Sequence, residues 1–287
     1  MSEKAKKTIH LHCVSDSTGE TIRAVARACI VQFEGVEPVE HLWALARTPR
    51  AMDQVLEDIA AYPGPVIFTL VDDTLRDQLM SGCRRLKVPC ISVLDPIIAA
   101  LGSLLGSQPT HRPGGQHEMN AEYFERIEAM DWALIHDDGQ RSEDLENAEI
   151  VLVGVSRTSK TPTCIYLANR GIKAANVPYV PGVPLPAILE RPNGPLVVGL
   201  TKDPKRLVEI RRARLLSLHQ NSETSYVDIE QVRAETIEAR RYFAERDWPL
   251  IDVSRRSIEE TAAAIMQLLQ ARQAERKPKA TADLQDG

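Results

Sequence analysis

Short apolar runs alternate with amphipathic stretches along nearly the whole chain, the rhythm of repeated β-α units. In the first half, residues 8–14, 39–45, 66–71 and 89–94 read as strands, and 20–33, 49–61, 74–86 and 96–105 as the helices that follow them. Short apolar strands joined by helical crossovers predict a parallel sheet covered on both faces. Residues 106–116, carrying Pro109, Pro113, Gly114 and Gly115, break the rhythm and mark a boundary or a mobile loop. A helix over 120–130 then leads into a strand-like run at 132–136 and the acidic turn Asp137, Asp138, Gly139. A second series begins at Ala148, with strands expected over 149–153, 174–177, 196–200 and 250–253 and helices over 162–170, 204–217, 229–246 and 257–272. From Arg276 the chain is charged and aperiodic, which predicts a frayed tail. The expected organisation is an N-terminal α/β domain over 1–106, a connecting segment with the acidic turn over 107–147, an α/β nucleotide-binding domain over 148–275 and a disordered tail over 276–287. No internal repeat is visible beyond the β-α rhythm itself.

At 287 residues and 43% hydrophobic composition the chain can bury a core of its own. Its formal charge of -5 gives no general attraction to nucleic acid or anionic lipid, so phosphate chemistry has to come from a local site. The start of the chain is charged and has no apolar stretch suited to a signal peptide or membrane helix, so the expectation is a cytoplasmic protein with neither a membrane nor a nucleic-acid partner. Five cysteines, Cys13, Cys29, Cys83, Cys90 and Cys164, have no closely spaced pair, which reads as buried free thiols rather than a disulfide framework or a zinc site. His10 and His12 share one face of the first strand, but no third metal ligand lies near them in sequence.

The strongest chemical signal spans residues 151–161, a strand, a polar loop and a helix opening. Its spacing fits the Walker A form, glycine, four residues, then Gly-Lys-Ser/Thr, except that Ser159 stands where the second glycine belongs. Backbone amides of Gly154, Val155, Ser156, Arg157, Thr158 and Ser159 can converge on phosphate oxygens. Lys160 can neutralise their charge, and the Thr161 hydroxyl can reach a bound Mg2+. Pro162 sits in the first helical turn, where no N–H is needed, and Gly171 where a left-handed cap would end the helix. The bland alternative is a Ser/Thr-rich helix cap beside a solvated lysine. Because Ser159 carries a side chain, its backbone is expected to avoid conformations that favour glycine.

The segment GVSRTSKTPTCIY, residues 154–166, closely resembles the signature of the pyruvate, phosphate dikinase regulatory proteins. The resemblance runs from about His10 to about Leu269 and includes VSDSTGET (14–21), HLWALARTPR (41–50), YFERIEAMDWALIHDDGQ (123–140), YLANRGIKAANVPYVPGVPLP (166–186) and RRSIEETAAAI (255–265). It implies a bifunctional enzyme: an ADP-dependent kinase that inactivates pyruvate, phosphate dikinase by phosphorylating a threonine, and a phosphorylase in which inorganic phosphate attacks that phosphothreonine and yields pyrophosphate. A sister family acts on phosphoenolpyruvate synthase; SDSTGET and HLWALARTPR are more similar to the dikinase branch.

Asp137 and Asp138 are placed to bind magnesium or to accept the proton of a target hydroxyl, against the alternative of a plain acidic turn. Asp72 and Asp73 follow an apolar strand and mimic a Walker B end, but they precede the cradle by many residues and rank below Asp137. The SDSTGET loop can bind phosphate or the target peptide; alternatively Ser17 or Thr18 simply caps the following helix. Arg206, Arg211, Arg212 and Arg214 can clamp phosphate or form a solvated face, and Arg157, inside the loop, is the first arginine candidate. An ATP-dependent small-molecule kinase and a non-catalytic nucleotide sensor share the same local logic. A homodimer suits a regulator of a large symmetric target.

Overall fold

The computed structural model describes residues 7–115, 121–218 and 224–276; the expected frayed tail lies almost wholly outside the described residues. The chain divides into two compact units, Met1–Glu118 and Met119–Gly287. The first contains β1 (Lys7–Ser15), α1 (Glu20–Ile30), β2 (Val36–Trp43), α2 (Pro49–Ala61), β3 (Val66–Thr69), α3 (Asp73–Leu86), β4 (Cys90–Ser92) and α4 (Asp95–Leu105). The second contains α5 (Ala121–Ile135), β5 (Ile150–Gly154), α6 (Lys160–Ala168), β6 (Ala174–Pro178), β7 (Leu196–Thr201), α7 (Pro204–Ser217), α8 (Ile229–Ala244), β8 (Leu250–Asp252) and α9 (Ile258–Arg276), with short 3-10 turns between them.

Each unit is built on a four-stranded, all-parallel sheet, ordered β2-β1-β3-β4 in the first and β6-β5-β7-β8 in the second. The strand order is the same, so the repeat that the sequence hides is present in the topology. Successive residues of β5 face opposite cores: Val151 and Val153 join Leu207, Val232 and Phe243, whereas Ile150 and Leu152 join Leu167, Ile265 and Ala129. That alternation between two apolar layers is what a doubly covered parallel sheet requires, and it explains why β5 and β7 are buried throughout and apolar but for Thr201. The first sheet is covered likewise, with Val14 and Phe68 on one face and Leu11, Cys13 and Ile22 on the other.

The helix starts predicted at Pro49 and Pro204 are found there, each because proline supplies a preset first-turn φ and the preceding side chain caps the helix. Thr48 Oγ1 accepts from the Ala51 amide at 3.2 Å and Asp203 Oδ1 from the Arg206 amide at 3.1 Å. The strand-like run at 132–136 is instead the end of α5, continued by a bond from the His136 amide to the Trp132 carbonyl at 3.0 Å. Ala129 and Ala133 of α5 need its helical spacing to reach the core beside Ile150 and Leu152. All five cysteines are free, as expected, and Cys13, Cys83 and Cys164 are buried. Cys29 is exposed, and Cys83 and Cys90 are hydrogen-bonded neighbours although seven positions apart.

Candidate active site

In the second sheet the chain leaves β5 for the edge strand β6, then crosses back to lay β7 on the other side of β5. The loops after β5 and β7 therefore diverge at one end of the sheet, the switch point at which open parallel sheets hold ligands. The loop 155–159 and Lys202 both lie at that end.

Gly154 closes β5 in a tight space: a Cβ there would lie 2.6 Å from the Leu200 carbonyl and 2.8 Å from Thr158 Oγ1. The buried Thr158 hydroxyl donates to the Val155 carbonyl at 2.9 Å and turns the loop back on itself. Arg157 and Ser159 take φ of 73° and 65°. Ser159 thus occupies the left-handed region that glycine favours, contrary to the expectation that its side chain would keep it out. Contacts on both sides fix it: its carbonyl accepts from Thr163 Oγ1 at 2.7 Å and its hydroxyl from Lys202 Nζ at 3.3 Å. Residues 156–157 form a turn that closes Thr158 back toward Val155, and among the described residues the amides of Ser156, Arg157 and Ser159 have no protein acceptor. They lie beside the N-terminus of α6, an arrangement suited to anion oxygens.

Lys160, the first residue of α6, is only 6% exposed. Its ammonium turns back to donate to the Gly154 and Val155 carbonyls at 2.8 and 3.1 Å. Burial pulls its pKa down to about 8, opposed by the negative charge of Asp138 and, less, of Asp137. The predicted loop and the predicted acidic turn thus meet in one site. Thr161 Oγ1 donates to Asp137 Oδ1 at 2.8 Å, and buried Asn176 of β6 donates to the same carboxylate and to Thr161 Oγ1. Asn176 Oδ1 accepts from the Asp138 amide at 3.1 Å and so pins the turn. The two carboxylates are consequently unlike: Asp137 is engaged by its neighbours, whereas Asp138, at φ 51°, lines a cleft of about 330 Å³ with Arg157, Ser159, Lys160, Thr161 and Lys202.

Three arginines of α7 lie on a solvated face, and one departs from both expectations for the helix. Arg211 is buried behind the loop, where it pairs with Glu235 at 2.9 and 3.2 Å and donates to the carbonyls of Tyr226 and Ser156, each at 3.2 Å. It holds the loop from the outside, while Arg206, Arg212 and Arg214 are exposed. Sequence reading missed Asn176, Lys202, Tyr226 and Glu235. A polar residue inside the apolar run 174–177 and a lysine just past a strand end were the available signals for the first two.

The remaining candidates lie in the first unit. Asp72 caps α3 by accepting from the Leu75 amide at 2.9 Å, and Asp73 pairs with Arg76. In SDSTGET neither Ser17 nor Thr18 is the N-cap of α1; Gly19 is, at φ 81° and with no side-chain cap bond. Buried Asp16 instead accepts from the Val71 amide at 2.7 Å, and Ser15 Oγ accepts from Thr69 Oγ1 at 3.0 Å. His12 stacks on His41 across the β1/β2 pair at 4.5 Å between ring centroids, and its Nε2 donates to the Tyr62 carbonyl at 2.9 Å. Among the described residues no group of three His, Cys, Asp or Glu side chains is arranged to hold a metal, and no helix is long and apolar enough to cross a membrane. Thr161 and Asp137 are nonetheless hard oxygen donors in contact, the kind of partial shell that Mg2+ takes when phosphates supply the other ligands.

Comparison with known proteins gives one family. A sequence profile of the kinase/pyrophosphorylase family matches residues 11–266. The chain is 57% identical over 262 residues to a protein of Paramagnetospirillum magneticum, covering 91% of this chain and 84% of that one. It is 55% identical over 260 residues to one of Caulobacter vibrioides (91% and 82% covered) and 55% identical over 271 residues to one of Rhizorhabdus wittichii (94% and 99% covered). All three are provisionally named as pyruvate, phosphate dikinase regulatory proteins.

Proposed function

The chain belongs to the kinase/pyrophosphorylase family, and from that premise we propose that it regulates pyruvate, phosphate dikinase by phosphorylating a threonine with ADP and by removing that phosphate with orthophosphate. The names of its relatives support the dikinase as target. The observation that carries the chemistry is the convergence, in one cleft, of acceptor-free loop amides, the buried ammonium of Lys160 and the carboxylate of Asp138.

In the kinase direction the loop amides of Ser156, Arg157 and Ser159 take the phosphate oxygens of ADP. Lys160 exchanges its bonds to the Gly154 and Val155 carbonyls for bonds to the incoming phosphate. Asp138 accepts the proton of the threonine hydroxyl as its oxygen bonds to the β-phosphorus and the phosphoanhydride bond to AMP breaks. Asp138 suits this role better than Asp137, whose oxygen already accepts from Thr161 and Asn176. Thr161 and Asp137 would hold Mg2+, which when bound withdraws charge from the phosphate oxygens. In the reverse direction orthophosphate takes the same cradle and attacks the phosphothreonine. Pyrophosphate leaves, and Asp138 passes the proton given up by the attacking orthophosphate to the threonine oxygen. Catalysis on this scheme is positioning and charge stabilisation, with no covalent enzyme intermediate.

The test is to incubate the protein with ADP labelled at the β-phosphate and with phosphorylated dikinase. Label on a dikinase threonine, released as pyrophosphate on adding orthophosphate, is the expected result. Label that remains in ADP while the folded protein still binds the nucleotide overturns the enzyme reading in favour of a sensor. In a parallel incubation with phosphoenolpyruvate synthase, label on that protein and none on the dikinase reassigns the target.

A further inference from the structure

We infer that Lys202 is a phosphate-binding residue of this cleft and that it serves the orthophosphate substrate above all. This rests on the reading of the cleft as the ADP and orthophosphate site. Lys202 directly follows β7, the strand that pairs with β5, so the sheet register delivers it to the loop from the opposite side of the switch point. It lines the same cleft as Lys160 and Asp138 and is 8% exposed.

Three buried cations surround the loop, and two of them have several protein acceptors. Arg211 has the Glu235 carboxylate and two carbonyls. Lys160 has two carbonyls, with the charges of Asp138 and Asp137 nearby. Lys202 has three N–H donors, and among the described residues it makes one hydrogen bond, a long one of 3.3 Å to a neutral hydroxyl, Ser159 Oγ. Among the described residues no carboxylate pairs with it, and the charge that bears on it most is another cation, Arg206. Burial and that repulsion both push the ammonium toward the neutral form, so an anion in the cleft restores what it lacks. The arrangement also gives a reason for serine at the glycine position of the motif: the Ser159 hydroxyl tethers Lys202 at the lip of the amide cradle, and a glycine there would leave the ammonium free to swing away.

Selectivity for orthophosphate follows from what each ligand brings. ADP has two phosphates and a nucleoside through which to spread its contacts. Orthophosphate has one group, so each cation around the cradle carries a larger share of its binding.

The test uses the full chain and the variants Lys202→Met, of similar length without charge, and Lys202→Arg. Inorganic phosphate and ADP are titrated separately by calorimetry, and KM for each is measured in its own direction. Lys202→Met is expected to weaken orthophosphate binding about tenfold or more and ADP binding about threefold or less, as loss of one charged hydrogen-bond donor from a small and a large anion implies. Lys202→Arg should recover most of the phosphate affinity, and the thermal midpoint of Lys202→Met should not fall, since the change removes a buried charge. Equal losses for both ligands, or no loss for either, overturns the inference. If the wild type transfers label from ADP while Lys202→Met keeps full phosphate affinity, the inference fails and the proposed function stands. If Lys202→Met loses phosphate binding but the wild type transfers nothing, the proposed function fails and the assignment of Lys202 stands.

Discussion

The loop at 15–19 leaves β1 and the loop at 155–159 leaves β5, at equivalent places in two sheets of the same strand order. Each turns from the end of a central strand into a helix, and each carries a buried ionisable side chain, but the signs are opposite. In the first unit it is Asp16, 2% exposed, whose carboxylate takes the Val71 amide at the end of β3. In the second it is Lys160, whose ammonium takes two carbonyls of its own loop. Burial shifts both toward neutrality, raising the carboxyl of Asp16 and lowering Lys160. The topology supplies a strand end and a helix N-terminus in both units. In the first the fold ties its own carboxylate to an amide beyond the neighbouring strand, and in the second it sets a cation beside the loop.

Lys160→Met should have the largest effect, lowering phosphoryl transfer about 10²- to 10³-fold, as loss of a transition-state charge partner does elsewhere. Its thermal midpoint should hold or rise, which melting by circular dichroism would check; a variant that transfers normally would break the contrast between the loops. Next, Asp138→Asn should lower kcat about 10²-fold with ADP affinity nearly unchanged, the split expected of a general base. Asp137→Ala should instead disturb nucleotide and metal binding, because it removes the acceptor of the Thr161 hydroxyl, and the two variants compared by calorimetry and steady-state kinetics test that division of labour.

A smaller effect is expected in the first unit. Asp16→Ala leaves the half-buried Val71 amide unpaired and should cost about 1–2 kcal/mol in urea denaturation. Transfer per folded molecule should stay at the wild-type level if the second loop alone does the chemistry. The smallest effect is one of pH. Lys160 titrates near 8 in the folded chain against 10.5 when free, so between those values the unfolded chain holds the extra proton and stability gained from this group rises with pH. ADP affinity moves the other way, falling about tenfold from pH 7 to pH 9 as the ammonium is lost. Lys160→Met should show neither trend.

Much of the fold was legible because parallel strands and their crossovers are written in local patterns. Pro49 and Pro204, with their capping neighbours, set helix starts to the residue. Where a pattern was ambiguous the reading failed: 132–136 is apolar enough for a strand, and only the core that Ala129 and Ala133 enter makes it helical. The SDSTGET loop looked like a hydroxyl cap because Ser17 and Thr18 are good capping residues, yet Gly19 takes the cap position and the loop is tied down instead by Asp16, which accepts from the Val71 amide. The four arginines of α7 looked alike in sequence and are not, since only Arg211 faces Glu235 and the back of the loop.

The sequence by itself determined the strand, loop and helix of the phosphate cradle, with Lys160 and Thr161 at the helix start, because those depend on neighbours a few residues apart. Only the tertiary structure decided what meets the cradle. Parallel register sets Asn176 opposite Leu152 and carries β7 along β5, so that Asn176 ties Asp137 and Asp138 to Thr161 and Lys202 reaches Ser159. The physical reason is that strands joined by long crossovers become neighbours through sheet pairing and core burial, which the spacing of residues along the chain does not record.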